Sequence, residues 1–134
     1  MDIKVLKVGI VSCSGEALPE GTVSRVASRK VLDELRPGQT VTICLPLFIA
    51  GGKEEREFAN KFPTVTVDGC EKMCAAKSTE KLSGKPAKSL MIREIFKKHG
   101  ISGLKQFRGL GPAEKIASEV VAEEIAKAVD EALE

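Results

Sequence analysis

Strand-like segments rich in Val, Ile and Thr alternate with helix-like segments along this chain, and this alternation constrains its fold more than any other feature. The strand-like segments span residues 3–12, 40–45, 64–67 and 89–95, the last of which also fits a helix extended through Phe96. The helix-like segments span residues 22–35, 53–61, 71–82 and 112–133. Such alternation is typical of a mostly parallel sheet with helices on both faces. We therefore predict a single α/β domain over residues 1–134, a three-layer αβα sandwich with about four strands.

The order of the strands in the sheet follows from the connections between them. Right-handed crossovers place the carboxyl ends of all parallel strands at one edge of the sheet. The ends of the first three strands lie side by side at that edge only if the first strand is flanked by the second and the third. We therefore predict the spatial order 2-1-3-4. Open α/β sheets build their ligand sites at this carboxyl edge.

All four cysteines of the chain fall at or just after the ends of predicted strands. Cys13 follows the first strand, Cys44 lies near the end of the second, and Cys70 follows the third. Cys74 comes four residues after Cys70, and two residues with that spacing share one face of a helix. Four thiolates match the ligand count of a tetrahedral zinc site. The pattern therefore favours a metal site or a reactive thiol centre at the carboxyl edge of the sheet.

Other uses of these cysteines fit the same positions. Cys70 lies at the predicted start of the helix over residues 71–82, where the helix dipole and free amides stabilise a thiolate. It could serve as the nucleophile of a sulfur-transfer or redox enzyme, with Cys74 or Cys13 as the resolving thiol. Four thiolates could also hold an iron–sulfur cluster. Buried cysteines can simply fill a core, and Cys44, inside an apolar run, is the best candidate for that role.

Composition and charge argue against several other classes of function. A net charge of +2 and an aromatic content of 4% give no strong nucleic-acid signal. No apolar run approaches the roughly 20 residues of a membrane span, and no signal peptide is visible, so we expect a cytoplasmic protein. Reducing conditions there disfavour structural disulfides. The usual phosphate-binding and hydrolase motifs are missing, and the sequence indicates no catalytic residue, partner or oligomeric state.

The remaining segments are predicted to be loops. The apolar run over residues 47–52 ends in a pair of glycines and is expected to be a loop, and residues 97–111 are rich in glycine. The only histidine, His99, precedes Gly100 in a pattern that marks the end of a helix more often than it marks a metal ligand.

Three segments around the cysteines together resemble the DGC family, which is named for its Asp-Gly-Cys motif. They are Val11-Ser12-Cys13-Ser14-Gly15, Cys44 with the apolar stretch to Gly51-Gly52, and Asp68-Gly69-Cys70-Glu71-Lys72-Met73-Cys74-Ala75. The resemblance covers roughly residues 8–95, and its specificity lies in the combination of the motifs. It implies a small cytosolic prokaryotic protein whose cysteines are regarded as zinc ligands and whose biochemical role is undefined. The implied zinc ligands are Cys13, Cys44, Cys70 and Cys74.

This chain departs from the family pattern at two positions. Many members resemble Cys-Ser-Gly-Cys at the first motif, where this chain has Glu16 in place of the second cysteine. Many also carry another cysteine where this chain has Ser78. A site with four thiolates therefore needs every cysteine of the chain. If Cys44 is a core residue, the site has three thiolates and either an oxygen from Glu16 or an open position suited to catalysis or metal transfer.

Overall fold

The structure is a computed structural model that describes residues 7–15, 17–106 and 109–133. Its sheet contains β1 (Val8–Ser12), β2 (Thr40–Thr42), β3 (Thr64–Asp68) and β4 (Lys88–Met91). All of the strand pairs are parallel, and the order of the strands is β2-β1-β3-β4. The predicted fold class and strand order are therefore confirmed. Residues 3–6 of the first predicted strand lie outside the described residues.

Helices cover both faces of this sheet. They are α1 (Pro19–Lys30), α2 (Leu45–Ala50), α3 (Lys53–Arg56), α4 (Phe58–Lys61), α5 (Cys74–Leu82), α6 (Ile92–His99) and α7 (Pro112–Leu133). On one face, apolar residues of α1, α6 and α7 form the larger core cluster with Ile10 and Val65 of the sheet. On the other face, Val11 of β1 joins a smaller cluster with Phe48 of α2 and Ala75 of α5. The central strands β1 and β3 are buried on both faces because helices cover each side of them.

The predicted loop over residues 47–52 is wrong for residues 47–50, because Leu45–Ala50 forms α2. Pro46 lies in the first turn of this helix, where its missing N–H costs no hydrogen bond. Phe48 is fully buried, so the burial of this side chain outweighs the turn signal of the glycine pair that follows. The helix begins directly after Cys44.

The predicted strand over residues 89–95 is wrong beyond Met91, where β4 ends and α6 begins. Ile92, Ile95 and Phe96 are buried at helical spacing, which explains why the alternative of a helix through Phe96 describes the second half of the segment. The helix runs to His99 and is capped by Gly100 at φ 69°, as the sequence pattern at its end predicts.

The other helices differ from prediction mainly at their ends. The helix predicted over residues 22–35 begins earlier, at Pro19, and its last part, Val31–Leu35, is π-helical. The helix predicted over residues 53–61 is divided into α3 and α4. The long last helix, α7, has the predicted bounds. None of the described helices is long and apolar enough to cross a membrane.

Candidate metal centre

The cysteines lie around the carboxyl edge of the three neighbouring strands β2, β1 and β3. Cys13 directly follows β1, Cys44 lies two residues beyond β2, and Cys70 lies two residues beyond β3. Cys74 is the first residue of α5. All four thiols are free; Cys13 and Cys70 are half-buried, whereas Cys44 and Cys74 are exposed. The interpretation of Cys44 as a core residue is therefore wrong.

The thiol of Cys13 connects two loops of this edge. Its Sγ accepts a hydrogen bond from the backbone N–H of Gly69 at 3.3 Å, so it touches the loop after β3. It also lies 3.5 Å from Oγ of Ser24 in α1. The Ser24 hydroxyl donates to the carbonyl of Gly21 at 2.6 Å and accepts from the N–H of Ser14 at 3.1 Å. With its hydrogen committed to Gly21, the Ser24 oxygen is left to accept from the Cys13 S–H.

Asp68 fixes the segment after β3 that carries Cys70 and Cys74. Its carboxylate is buried and accepts hydrogen bonds from the N–H groups of Ala75 at 2.7 Å and Ala76 at 3.0 Å. Burial raises the pKa of the Asp68 carboxyl above its ordinary value, against the opposing effect of these two amides. The last residue of β3 thereby holds the first turn of α5, and residues 69–73 form a short bridge between them.

Gly69 permits a close approach between this bridge and the start of α1. A Cβ at position 69 would lie 3.1 Å from backbone atoms of Glu20 and Gly21 and 3.2 Å from the Cβ of Glu20. Backbone atoms have little freedom to move aside, so a side chain at position 69 would push residues 69–73 away from the start of α1. Glycine at this position therefore keeps the Gly69 N–H within reach of the Cys13 sulfur.

Two residues in the left-handed backbone region flank the thiols. Ser14, directly after Cys13, and Met73, directly before Cys74, both have φ 51°. Residues other than glycine rarely adopt this conformation, which costs of order 1–3 kcal/mol and is concentrated at functional sites. The strain therefore sits beside two of the four thiols and nowhere else among the described non-glycine residues.

The structure corrects the expected position of Cys70 relative to the following helix. The predicted helix over residues 71–82 begins only at Cys74, and Cys70 lies in a turn closed by a hydrogen bond from the Met73 N–H to its carbonyl at 3.1 Å. Cys70 is therefore not at a helix N-terminus, and the argument that a helix activates its thiolate does not hold. The expectation that Cys70 and Cys74 share a helix face is wrong for the same reason.

A protein-family model described as the DGC domain matches residues 9–131, nearly the whole chain. The chain belongs to the DGC domain family. The resemblance seen in the cysteine motifs is thus confirmed and extends further than those motifs. No significant match was found among curated proteins or solved structures.

In this DGC domain, each residue of the Asp-Gly-Cys segment has a separate place. Asp68 holds α5, Gly69 donates to Cys13, and Cys70 carries a half-buried thiol. Ser24, which contacts the Cys13 sulfur from α1, was missed by the sequence analysis. It lies eleven residues from Cys13 in the middle of an amphipathic helix, where no spacing rule marks it.

Within the part of the DGC domain that the structure describes, no three side chains of His, Cys, Asp or Glu stand together in a group that could hold a metal ion. Glu16, the possible oxygen donor, lies outside the described residues. His99 lies 3.0 Å from the Glu124 carboxylate on the surface of α7. The hydrogen bond from Gly69 to Cys13 brings the loops of Cys13 and Cys70 together, whereas the thiols of Cys44 and Cys74 are exposed.

Proposed function

We propose that this DGC domain binds a zinc ion through the thiolates of Cys13, Cys44, Cys70 and Cys74. The observation that carries the proposal is the hydrogen bond from the Gly69 N–H to the Cys13 sulfur, because it joins the loops after β1 and β3 next to Cys70. A cytoplasmic location, where thiols stay reduced, fits this use of the cysteines.

The chemistry of the donor set fits zinc. Thiolates are preferred zinc ligands, and the four cysteines of this chain form no disulfide with one another. Cys13 packs against the smaller core cluster and Cys70 is half-buried, whereas the exposed side chains of Cys44 and Cys74 are free to change rotamer, as exposed side chains do within nanoseconds. Binding would draw these two thiols toward the other pair.

The proposed zinc is not required to hold the fold. The domain already has one core cluster on each face of its sheet, and small zinc-dependent folds lack such cores. The metal therefore serves a function beyond folding. Four thiolates make a closed site that keeps zinc inert, whereas three thiolates leave an open position for a substrate or for metal transfer. Cys44 decides between these outcomes, because it follows β2, which is separated by β1 from the strand that precedes Cys70 and Cys74.

Metal analysis of single variants tests the proposal. The protein would be purified with a thiol reductant and without added metal, its zinc content measured by mass spectrometry, and its absorption spectrum recorded. We expect about one zinc per chain in the wild type, and loss of zinc in each of Cys13→Ser, Cys70→Ser and Cys74→Ser. Ser78→Ala is the matched control on the same helix as Cys74 and should retain zinc. Retention by Cys44→Ser would define a three-thiolate site.

Other results would replace the proposal. A brown protein with iron and sulfide would indicate an iron–sulfur cluster. A metal-free protein that reacts rapidly at a single cysteine would indicate a thiol enzyme. Full zinc occupancy in the double variant Cys13→Ser/Cys70→Ser would show that the metal is held elsewhere.

A further inference from the structure

Ser24 is a fully buried residue of α1 whose hydroxyl contacts the Cys13 sulfur. Its Oγ lies 3.5 Å from that sulfur, and it also lies 3.1 Å from the Ser14 nitrogen and 2.6 Å from the Gly21 carbonyl oxygen. A hydroxyl has one hydrogen to donate and two lone pairs that accept. These three neighbours therefore use the full hydrogen-bonding capacity of the Ser24 side chain.

Only one arrangement of hydrogens satisfies all three contacts of this hydroxyl. The Gly21 carbonyl can only accept, so the Ser24 hydrogen points at it. The Ser14 N–H can only donate, so it takes one lone pair. The second lone pair accepts the S–H of Cys13, whose sulfur in turn accepts from the Gly69 N–H at 3.3 Å. The arrangement therefore suits a Cys13 thiol that still carries its hydrogen.

Loss of the S–H hydrogen from Cys13 would change this arrangement. A cysteine that ligates a metal is deprotonated, and its proton passes to solvent as the metal–sulfur bond forms. The sulfur is then an acceptor only, and a lone pair of Ser24 faces a negatively charged atom. If the hydroxyl turns about its C–O bond, its hydrogen moves from the Gly21 carbonyl to the sulfur. A hydrogen bond to a charged acceptor is stronger than one to a neutral carbonyl, so this exchange is favourable.

We propose that Ser24 is a positioning residue for Cys13, and that its hydroxyl turns from the Gly21 carbonyl to the Cys13 sulfur when Cys13 binds a metal. This rests on the proposed function, because it takes Cys13 to be a metal ligand. The Gly69 N–H and the Ser24 hydroxyl then both donate to the ligating sulfur from fixed positions in the fold. Groups that orient a metal ligand in this way contribute about 10–100-fold to metal affinity.

The carbonyl carbon of Gly21 reports the turn of the hydroxyl, because its NMR shift depends on the hydrogen bond that it accepts. The full chain, isotope-labelled and freed of metal by a chelator, would be titrated with zinc chloride. We expect the Gly21 carbonyl shift to change in the wild type and in Ser24→Thr, which keeps the hydroxyl, but not in Ser24→Ala. In competition with a chromophoric chelator, Ser24→Ala should bind zinc about tenfold more weakly than the wild type.

Ser28→Ala is the matched control for the loss of a buried hydroxyl from α1. Ser28 lies one helical turn after Ser24, is buried, and has no hydrogen-bond partner for its Oγ among the residues that the structure describes. It should bind zinc as the wild type does. Wild-type affinity in Ser24→Ala, or an equal loss of affinity in both alanine variants, would overturn the proposal.

A second metal separates this proposal from the zinc proposal. Methylmercury needs only one thiolate, so in the full-length variant Cys44→Ser/Cys70→Ser/Cys74→Ser it bonds to Cys13 alone and displaces the thiol proton. The Gly21 carbonyl shift should change here as well. A change with methylmercury, in a protein whose wild type binds no zinc, would overturn the zinc site and support the role of the hydroxyl. A Gly21 carbonyl that stays unchanged while the metal is bound would overturn the role of the hydroxyl and leave the zinc site standing.

Discussion

The substitution Asp68→Ala should destabilise the protein by removing the buried carboxylate that caps α5. The N–H of the fully buried Ala75 would lose the one acceptor that it has among the described residues, which costs about 1–3 kcal/mol. The N–H of the half-buried Ala76 would lose a second bond, worth about 1 kcal/mol, although water can replace part of it. Burial of the Asp68 carboxylate has an unfavourable cost, seen in its raised pKa. The substitution removes this cost, which offsets part of the lost hydrogen-bond energy. We therefore expect a net loss of about 2 kcal/mol in the free energy of unfolding.

Urea unfolding followed by circular dichroism, with a chelator present so that bound metal adds nothing, measures this loss. Asp68→Asn keeps one oxygen for the Ala75 N–H and should lose about half as much as Asp68→Ala. Asp33→Ala is the control, because its pair with Arg29 is exposed and is worth less than about 1 kcal/mol. The reasoning fails if Asp68→Ala unfolds within about 0.5 kcal/mol of the wild type, or if Asp68→Asn is the less stable of the two.

Three further substitutions test other parts of the structure by the same unfolding assay. Gly21→Ala would place its Cβ against the carbonyl oxygen of Gly15, and we expect a loss of about 3 kcal/mol; wild-type stability would show that the loop at Gly15 moves easily away from α1. Met73→Gly should be about 1 kcal/mol more stable than Met73→Ala, because only glycine relieves the left-handed backbone; the reverse order would contradict the strain. Asp130→Asn breaks a bidentate pair with Arg36, which lowers the pKa of the Asp130 carboxyl. We expect a loss of about 0.5–1 kcal/mol in the free energy of unfolding at neutral pH, and this loss should disappear as the pH falls below 3.8 and Asp130 becomes protonated. A loss that persists in acid would refute the pairing.

The strand order was predictable because it depends on rules that act over the whole chain. Alternating strands and helices with right-handed crossovers leave few arrangements, and placing β1 between β2 and β3 puts Cys13 between the ends of its neighbours. The position of the cysteines relative to the sheet edge followed from the same argument. The family was predictable for a different reason, since the motif around Cys70 combines with those at Cys13 and Cys44.

The local structure around the thiols was harder to predict, because tertiary contacts override local signals there. Residues 71–73 are good helix formers, yet the helix starts at Cys74 because the Asp68 carboxylate binds the amides of the following turn. Residues 47–50 were predicted to be a loop but form part of α2, because Phe48 is buried in the smaller core cluster against the sheet. The contact between Ser24 and Cys13 joins α1 to the end of β1, and no pattern in the sequence predicts that these two side chains meet.

The hydrogen bond between Gly69 and Cys13 has a consequence for the order of events in folding. It joins residues 56 positions apart, and parallel strands such as β1 and β3 pair only after the intervening chain has closed. Contacts with such long sequence separation form slowly compared with helices and local turns. A nascent chain that ends before β3 therefore holds Cys13 without its partner loop, and the thiol edge is assembled only when the third strand docks.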